Sequence, residues 1–448
     1  MSHSSEVKVR FAPSPTGKLH LGNAYIASLN WLFAKSKGGT FLLRMDDTDS
    51  ERSQAHLAEQ IRVDLRWLGL DWDEYAVQSE RLDRYSAAKE SLISAGRLYP
   101  CFETPEELDL KRKVQQMQGK PPVYDREAIS QTEDQRAAFL AQGRSPHWRF
   151  KLDQDAEVEW DDVVRGSQTI RAETQSDPIL IRGDGRFLYT LSSCVDDLEL
   201  GVTHILRGGD HVSNTVAQVQ LFEALKGLGF GGVVPKFGHL PLVYDKDGSK
   251  LSKRLDALSL ERLRGSAKVE PQAIVAYMAS LGTPEMREPE YDIKSLANGF
   301  DLDAFNAGAP RMDEGEIEIL TAKLVRTLPY DMVKDRTRVD QRTWDLVAPN
   351  LSSVAEAESW LEILDGNIEP IIEDKEYISL ALECFPSGDV DEATWAKWTG
   401  SLRDRSGRKG KALFMPLRLA LTGQTHGPDM ARIIARMGRE RALMRLAG

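Results

Sequence analysis

Apolar residues follow two alternating rhythms along the first 70 positions. Residues 7–12 read as a short strand that runs into the turn-forming cluster Pro13-Ser-Pro-Thr-Gly17. From about 22 to 35 the spacing becomes helical, with Ile26, Leu29, Leu32 and Phe33 on one face, and Gly38-Gly39 ends it. Thr40–Met45 is a second apolar strand, ending in Asp46-Asp47-Thr48-Asp49. Leu57, Ile61, Leu65 and Leu68 then predict a helix over about 53–68. Strand–helix–strand–helix predicts a parallel, doubly wound sheet, and such sheets bind ligands at the carboxyl ends of their strands. Both Pro13-Ser-Pro-Thr-Gly17 and Asp46-Asp47-Thr48-Asp49 fall at such ends.

The rhythm changes over 86–175. A charged helix (106–118), Pro121-Pro122 and short strands (147–152 and Glu157–Asp162) predict an inserted subdomain. The α/β pattern returns at 187–191 and 203–207, with a helix over about 213–225. After about residue 255 the chain reads as helical to its end; Ile274, Tyr277, Met278 and Leu281 share one helical face. A length of 448 residues predicts two to four domains at roughly 100–200 residues each.

Composition narrows the class. With 41% hydrophobic and 28% charged residues the chain reads as globular, not disordered. No stretch approaches the roughly 18 uncharged apolar residues of a membrane span. The first residues lack the apolar run of a secretory signal. Cys101, Cys194 and Cys384 are too scattered for a zinc cluster or a disulfide framework, so a reduced, cytoplasmic location is expected. The formal net charge of −11 disfavours a nucleic-acid partner until its distribution is read. Residues 401–448 hold eleven Lys/Arg against three Asp/Glu, a net of +8, which leaves −19 on the rest.

Two segments carry chemistry. In Pro13-Ser-Pro-Thr-Gly-Lys-Leu-His-Leu-Gly-Asn23 a strand ends, the chain turns and a helix begins near Gly22. A helix N-terminus suits a phosphate, Gly22 lets a flat base approach, and His20 can hydrogen-bond phosphate oxygens. The same residues read equally as a helix cap with a surface histidine. Gly248-Ser-Lys-Leu-Ser-Lys-Arg254 puts three cations and two hydroxyls in one loop, which reads as an anion clamp or as a solvated basic loop.

Taken together, His20-x-Gly22-Asn23 and Lys250-Leu-Ser-Lys-Arg254 resemble the HIGH and KMSKS motifs of the class I aminoacyl-tRNA synthetases. Further segments are similar to glutamyl-tRNA synthetases of bacterial type: Arg10-Phe-Ala-Pro-Ser-Pro-Thr-Gly17, Phe41-Leu-Leu-Arg-Met-Asp-Asp-Thr-Asp49, Trp67-Leu-Gly-Leu-Asp-Trp-Asp-Glu74, Gln78-Ser-Glu-Arg81, Phe102-Glu-Thr-Pro-Glu-Glu107, His239-Leu-Pro-Leu242, Pro416-Leu-Arg-Leu-Ala-Leu-Thr-Gly423 and Arg439-Glu-Arg-Ala-Leu443. The likeness runs in order from about residue 9 to 446, sparsely over 110–185 and 260–410.

The resemblance implies an α/β doubly wound (Rossmann-like) catalytic domain in two halves, 1–85 and 176–255. Between them lies an α+β acceptor-binding insertion over 86–175. A helical stem-contact region (256–315) and an all-α anticodon-binding region (316–448) would follow. It implies ATP-dependent transfer of L-glutamate to the 3′-terminal adenosine of tRNA(Glu) through glutamyl-adenylate, with tRNA bound before glutamate is activated. His20, Asn23, Lys250 and Lys253 are then the catalytic set, with His20 and Lys253 on the pentavalent phosphate and Lys250 on pyrophosphate. Ala12, Pro13, Thr16, Gly17, Gly22, Asp210 and Val243 join His20 and Lys253 at ATP, which brings Mg²⁺. Arg10, Ala12, Ser14, Asp46, Tyr189, Ser193 and Arg207 form the glutamate pocket, with Asp46 toward the ammonium group and the two arginines toward the carboxylates. Asp46 stands where many relatives have glutamate, and Ser193 where they often have asparagine. Asp196 and Asp197 read as structural. Arg403, Arg405, Arg408, Lys409 and Lys411 would meet tRNA phosphates.

Some relatives carry a cysteine-rich zinc site in the insertion; with Cys101 alone there, no zinc and no other bound metal is expected. An arginine that rejects tRNA(Gln) is absent from Ala348-Pro-Asn-Leu351, so charging of tRNA(Gln) as well is an expectation. A cytoplasmic monomer without membrane contact completes the reading. The rivals are a paralogue that glutamylates a tRNA base, a glutaminyl-tRNA synthetase, a small-molecule nucleotidylyltransferase and a non-catalytic RNA-binding homologue. The long helical second half speaks against the first three, and the intact His20, Gly22, Lys250 and Lys253 against the last.

Overall fold

The chain opens with strand β1 (Lys8–Phe11), helix α1 (Leu21–Ser36), strand β2 (Thr40–Met45), helix α2 (Ala55–Trp67) and strand β3 (Glu74–Val77). These match the hydrophobic rhythm to within a residue or two. The computed structural model describes residues 6–249, 259–266, 268–305 and 308–448. Helix α1 is apolar all round, and Leu21, Leu29, Trp31, Leu32 and Ala34 are buried, as an internal helix requires. Each of the buried leucines contributes about 1.5–3 kcal/mol, which fixes α1 against the sheet.

Helix α3 (Leu82–Ser94) puts Tyr85, Ala88 and Leu92 into the same apolar core as the sheet. The segment where an insertion is expected holds strand β4 (Leu98–Cys101), helices α4 (Pro105–Met117) and α5 (Glu133–Ala141), and strands β5 (His147–Phe150), β6 (Glu157–Asp162) and β7 (Gly166–Arg171); strand β8 (Ile179–Ile181) follows. Strands β4, β5 and β8 form an antiparallel sheet, and β6 and β7 a hairpin. Helices α4 and α5 bury no residue, as their charged sequences require.

Helix α6 (Tyr189–Glu199), strand β9 (His204–Gly208), helix α7 (Val212–Gly227) and strand β10 (Lys236–Leu240) complete the α/β layer. No strand forms at 187–191: Phe187 makes one bridge to Ile181 and α6 starts at Tyr189. The aromatic start of that segment imitates a strand, whereas Leu191, Cys194, Val195 and Leu198 recur at helical spacing and are buried. The five strands are parallel in the order β10-β9-β1-β2-β3. The chain winds outward from β1 in one direction through β3 and in the other through β10. The crevice at β1 and β9 is therefore the switch point where α/β sheets bind ligands.

Strand β11 (Tyr244–Asp245) follows, then helices α8 (Leu260–Gly265) and α9 (Pro271–Ser280), and strand β12 (Arg311–Met312), which pairs with β11. The chain divides into two compact units. The first is Met1–Arg262, Val275–Arg287 and Asp292–Asp313; the second is Leu263–Ile274, Glu288–Tyr291 and Glu314–Gly448. The second unit is helical: α10 (Glu314–Val325), α11 (Gln341–Val347), α12 (Glu356–Asp365), α13 (Lys375–Glu383), α14 (Glu392–Ser406), α15 (Lys411–Thr422), α16 (Met430–Met437) and α17 (Arg439–Ala447). Trp344 and Trp398 are buried in its core, and their indole N–H groups donate to the Leu328 and Ala381 carbonyls at 2.9 and 2.8 Å. Helices α16 and α17 are separate because Gly438 between them has φ +79°, outside the helical range.

Candidate active site

The turn after β1 is tied to the end of β2: the Asp46 N–H donates to the Pro13 carbonyl at 3.0 Å. A cavity of about 640 Å³ opens above these strand ends. His20 caps α1. Its Nδ1 accepts the Gly22 N–H at 3.1 Å, and Asn23 Oδ1 accepts the His20 N–H at 3.1 Å. The His20 carbonyl takes the Asn23 and Ala24 N–H groups. The first-turn amides of Gly22 and Asn23 are thus satisfied within the helix instead of standing open for a phosphate. With Nδ1 accepting, neutral His20 carries its proton on Nε2, a donor beside the cavity; burial lowers its pKa and favours this neutral form.

Beneath the cavity lies a buried ion network. Arg44 is fully buried; its Nε and Nη2 donate to Asp46 at 2.7 and 3.1 Å, its Nη1 to Asp197 at 2.7 Å and its Nη2 to Ser193 at 3.2 Å. Arg10 donates to Asp197 at 3.2 Å. Asp196 accepts from Gln78, Arg81 and Tyr85 at 2.6–2.9 Å. Asp196 and Asp197 are therefore structural, holding α6 to the strands. Burial pushes the Asp46 carboxyl up to about 6, against the opposing pull of Arg44.

Arg207 differs from Arg10 and Arg44: among the described residues no carboxylate pairs with it. Its guanidinium is held by Gln218 Oε1 at 2.6 Å, Thr215 Oγ1 at 2.8 Å and His239 Nε2 at 3.1 Å. Weaker bonds run to the His211 carbonyl at 3.3 Å and the Tyr189 hydroxyl at 3.4 Å. A buried cation beside a cavity and without a counter-ion is a site for an anionic ligand.

Of the residues singled out from sequence, Arg10, Ala12, Pro13, Ser14, His20, Gly22, Asn23, Asp46, Tyr189, Arg207, Asp210 and Val243 line this cavity. Thr16 lines an adjoining cavity of about 240 Å³, which shares Ser14, Asp46 and Tyr189 and adds Arg52, Arg182 and Arg186. Gly17 lines neither, and a side chain there would meet nothing within 4 Å. Ser193 is buried behind the wall on Arg44. Lys250 and Lys253 lie outside the described residues. The described residues that flank them border the cavity region: Tyr244 lines it, and the Leu260 N–H donates to the Leu19 carbonyl at 2.9 Å, beside His20. His211, Leu206 and Pro241 also line the cavity; each neighbours a strand end that the sequence marks, a signal that would have found them.

In the second unit, Arg405 pairs with Glu383 at 2.9 Å, and Arg408 pairs with Asp374 at 2.6 Å and lies over the Tyr377 ring. Arg403 sits 3.6 Å from Asp404, while Lys409 and Lys411 are exposed. In the insertion, Cys101, Glu103 and His147 bring potential ligand atoms within 4.8 Å of one another. The cysteine count alone did not reveal this group. The Tyr124 hydroxyl is bonded to Glu103 at 2.6 Å and lies 3.6 Å from Cys101 Sγ, and burial pushes the Cys101 thiol up to about 12.

These features place the chain among the class I aminoacyl-tRNA synthetases. The family described as tRNA synthetases class I (E and Q), catalytic domain, matches residues 6–304, and the anticodon binding domain family matches 373–448. The chain is 48% identical over 446 residues to glutamate–tRNA ligase 1 of Maricaulis maris (strain MCS10), covering 98% of this chain and 99% of that one. It is 48% identical over 447 residues to glutamate–tRNA ligase 2 of Methylorubrum populi (strain ATCC BAA-705), covering 98% of each. The crystal structure of a glutamate tRNA ligase from Elizabethkingia meningosepticum, in complex with its amino acid, superposes with a TM-score of 0.84 at 25% identity over 99% of both chains. The chain belongs to the glutamate–tRNA ligase family and is an enzyme of that class. Among the described residues no helix is long and apolar enough to cross a membrane.

Proposed function

We propose that the chain activates L-glutamate with ATP and transfers it to the 3′-terminal adenosine of tRNA(Glu). The observation that carries this reading is Arg207, a buried cation without a carboxylate partner, in a cavity that also holds His20. The substrate carboxylate attacks the α-phosphate in line; the P–O bond to pyrophosphate breaks as the acyl-phosphate bond forms. The terminal adenosine hydroxyl then attacks the acyl carbon and AMP leaves. No side chain serves as a nucleophile, so the chain's contribution is position and charge. His20 Nε2–H donates to the phosphate as charge builds there, with Lys253 beside it and Lys250 at the leaving pyrophosphate. Asp210 faces ATP, which would bring Mg²⁺ to neutralise its phosphate charge. The adjoining cavity, with Arg52, Arg182 and Arg186 and sharing Asp46 and Tyr189, suits the RNA end that collects the glutamyl group.

Arg403, Lys409 and Lys411 supply phosphate contacts, and Arg405 and Arg408 join them by exchanging carboxylate for phosphate. The lack of an arginine in Ala348-Pro-Asn-Leu351 supports charging of tRNA(Gln) as well. Aminoacylation of both transcripts with labelled glutamate tests this. Comparable yields are expected, and strict rejection of tRNA(Gln) limits the enzyme to tRNA(Glu). No label on either transcript would overturn the proposed function.

Asp46 serves as the counter-ion of the substrate ammonium only when ionised. With its carboxyl at about 6, the KM for glutamate should rise as pH falls from 7 to 5, while the KM for ATP stays level. A flat glutamate KM across that range would remove Asp46 from the ammonium site.

The enzyme is zinc-free in this reading. A thiol near 12 keeps its proton at neutral pH, and Tyr124 occupies Glu103. Elemental analysis of purified protein should find under about 0.1 zinc per chain, an amount far below the one ion a structural site holds; one zinc per chain would contradict it.

A further inference from the structure

Arg207 is gripped from below by a chain of buried groups that starts in the β6–β7 hairpin. Its five N–H donors divide into two sets. Nε–H, one Nη1–H and one Nη2–H go to His239, Gln218 and Thr215 at 2.6–3.1 Å, and all three of those residues are buried. The remaining donor on each η nitrogen makes only a long bond, 3.4 Å to Tyr189 and 3.3 Å to the His211 carbonyl, and both of those residues line the cavity. A carboxylate that displaces the long pair is bound at two points.

The fit depends on which nitrogen of His239 carries the proton. Nε2 must present a lone pair to Arg207 Nε–H, so the proton sits on Nδ1, where it meets Asp162 Oδ2. The other oxygen, Asp162 Oδ1, accepts the backbone N–H groups of Val164, Arg165 and His239 at 3.0–3.1 Å. Burial of Asp162 opposes its ionisation, yet these bonds outweigh it and hold the carboxyl at about 2. The ring is fully buried and lies parallel to Phe237, with ring centres 6.0 Å apart.

We propose that Asp162 and His239 are positioning residues, which fix Arg207 through the Nδ1–H tautomer of His239 so that two N–H donors face the amino-acid carboxylate. This rests on the reading of Arg207 as the carboxylate site, and it extends that site to a hairpin of the insertion.

Two substitutions separate the ring's two bonds. His239→Asn keeps a partner for Asp162 and loses the acceptor for Arg207; His239→Gln returns an amide oxygen at the Nε2 position. Asp162→Asn acts from the far end. Its Oδ1 stays on the backbone amides, so its NH2 faces Nδ1, drives the proton to Nε2 and sets that donor against Arg207. His239→Asn and Asp162→Asn should each raise the KM for glutamate by about tenfold or more, the effect of losing a bond to a charged group. The KM for ATP should change by less than about threefold, and His239→Gln should stay within about threefold of the parent on the same scale. Nitrogen-15 shifts of His239 should report Nδ1–H in the parent and Nε2–H in Asp162→Asn. If His239→Asn fails to fold, Asp162→Asn carries the test. Glutamate and ATP KM values that rise together, an unchanged glutamate KM, or Nε2–H in the parent would overturn the proposal. A parent enzyme that shows no glutamate-dependent activity would instead overturn the reading of the site.

Discussion

Replacing Arg44 by methionine should destabilise the first unit by about 3–5 kcal/mol, the scale for removing one partner from a buried ion pair. Arg44 has no exposed surface and makes four hydrogen bonds, to Asp46, Asp197 and Ser193. Asp197 would keep Arg10, but among the described residues no other side chain is hydrogen-bonded to Asp46, whose carboxylate would remain buried without one. The loss should depend on pH, with a sign set by Asp46. A carboxyl raised to about 6 by burial binds its proton more tightly folded than unfolded. Its contribution to stability is therefore fully present below about pH 4 and is lost as pH rises through 6. Without Arg44 that carboxyl rises further, so the deficit measured by urea unfolding should be larger at pH 7 than at pH 5. Adding Asp46→Asn to Arg44→Met should recover part of it. A deficit under about 1 kcal/mol, the range of a surface pair, would show that the network is not what holds these strands to α6.

Replacing His20 by alanine should lower turnover about 10²–10³-fold, the range for removing one donor aimed at developing charge. The same change removes the cap of α1, at a cost of about 1 kcal/mol. His20→Asn separates the two effects. Asparagine is a good N-cap, so its side chain can accept the Gly22 N–H, but it is too short to present a donor where Nε2 stands. The asparagine variant should recover the thermal stability lost in the alanine variant while its turnover remains low. Turnover that recovers along with stability would reduce His20 to a capping residue.

The hydrophobic rhythm was sufficient for β1, α1, β2 and α2, because each element buries a continuous or one-sided apolar set. It failed at 187–191, where aromatic residues at the head of α6 imitate a strand. The candidate site was legible where a motif sits at a strand end, as at Arg10, His20, Asp46 and Arg207. Partnership was not legible. No spacing reveals that Asp197 joins Asp46 on Arg44, since Arg44 and Asp197 lie 153 positions apart, or that Arg207 has no acid among the described residues. Separation along the chain likewise hides the grouping of His147 with Cys101 and of Asp162 with His239. Charge was legible only coarsely: the basic excess over 401–448 is real, but Arg405 and Arg408 already face Glu383 and Asp374.

ATP–pyrophosphate exchange by the intact enzyme, with tRNA(Glu) present, measures directly whether this cavity activates glutamate. Glutamate should support exchange at a rate at least about 100-fold above glutamine, because a side-chain carboxamide cannot give Arg10 the charge it binds. Equal exchange with glutamine, or none with glutamate, would contradict the account.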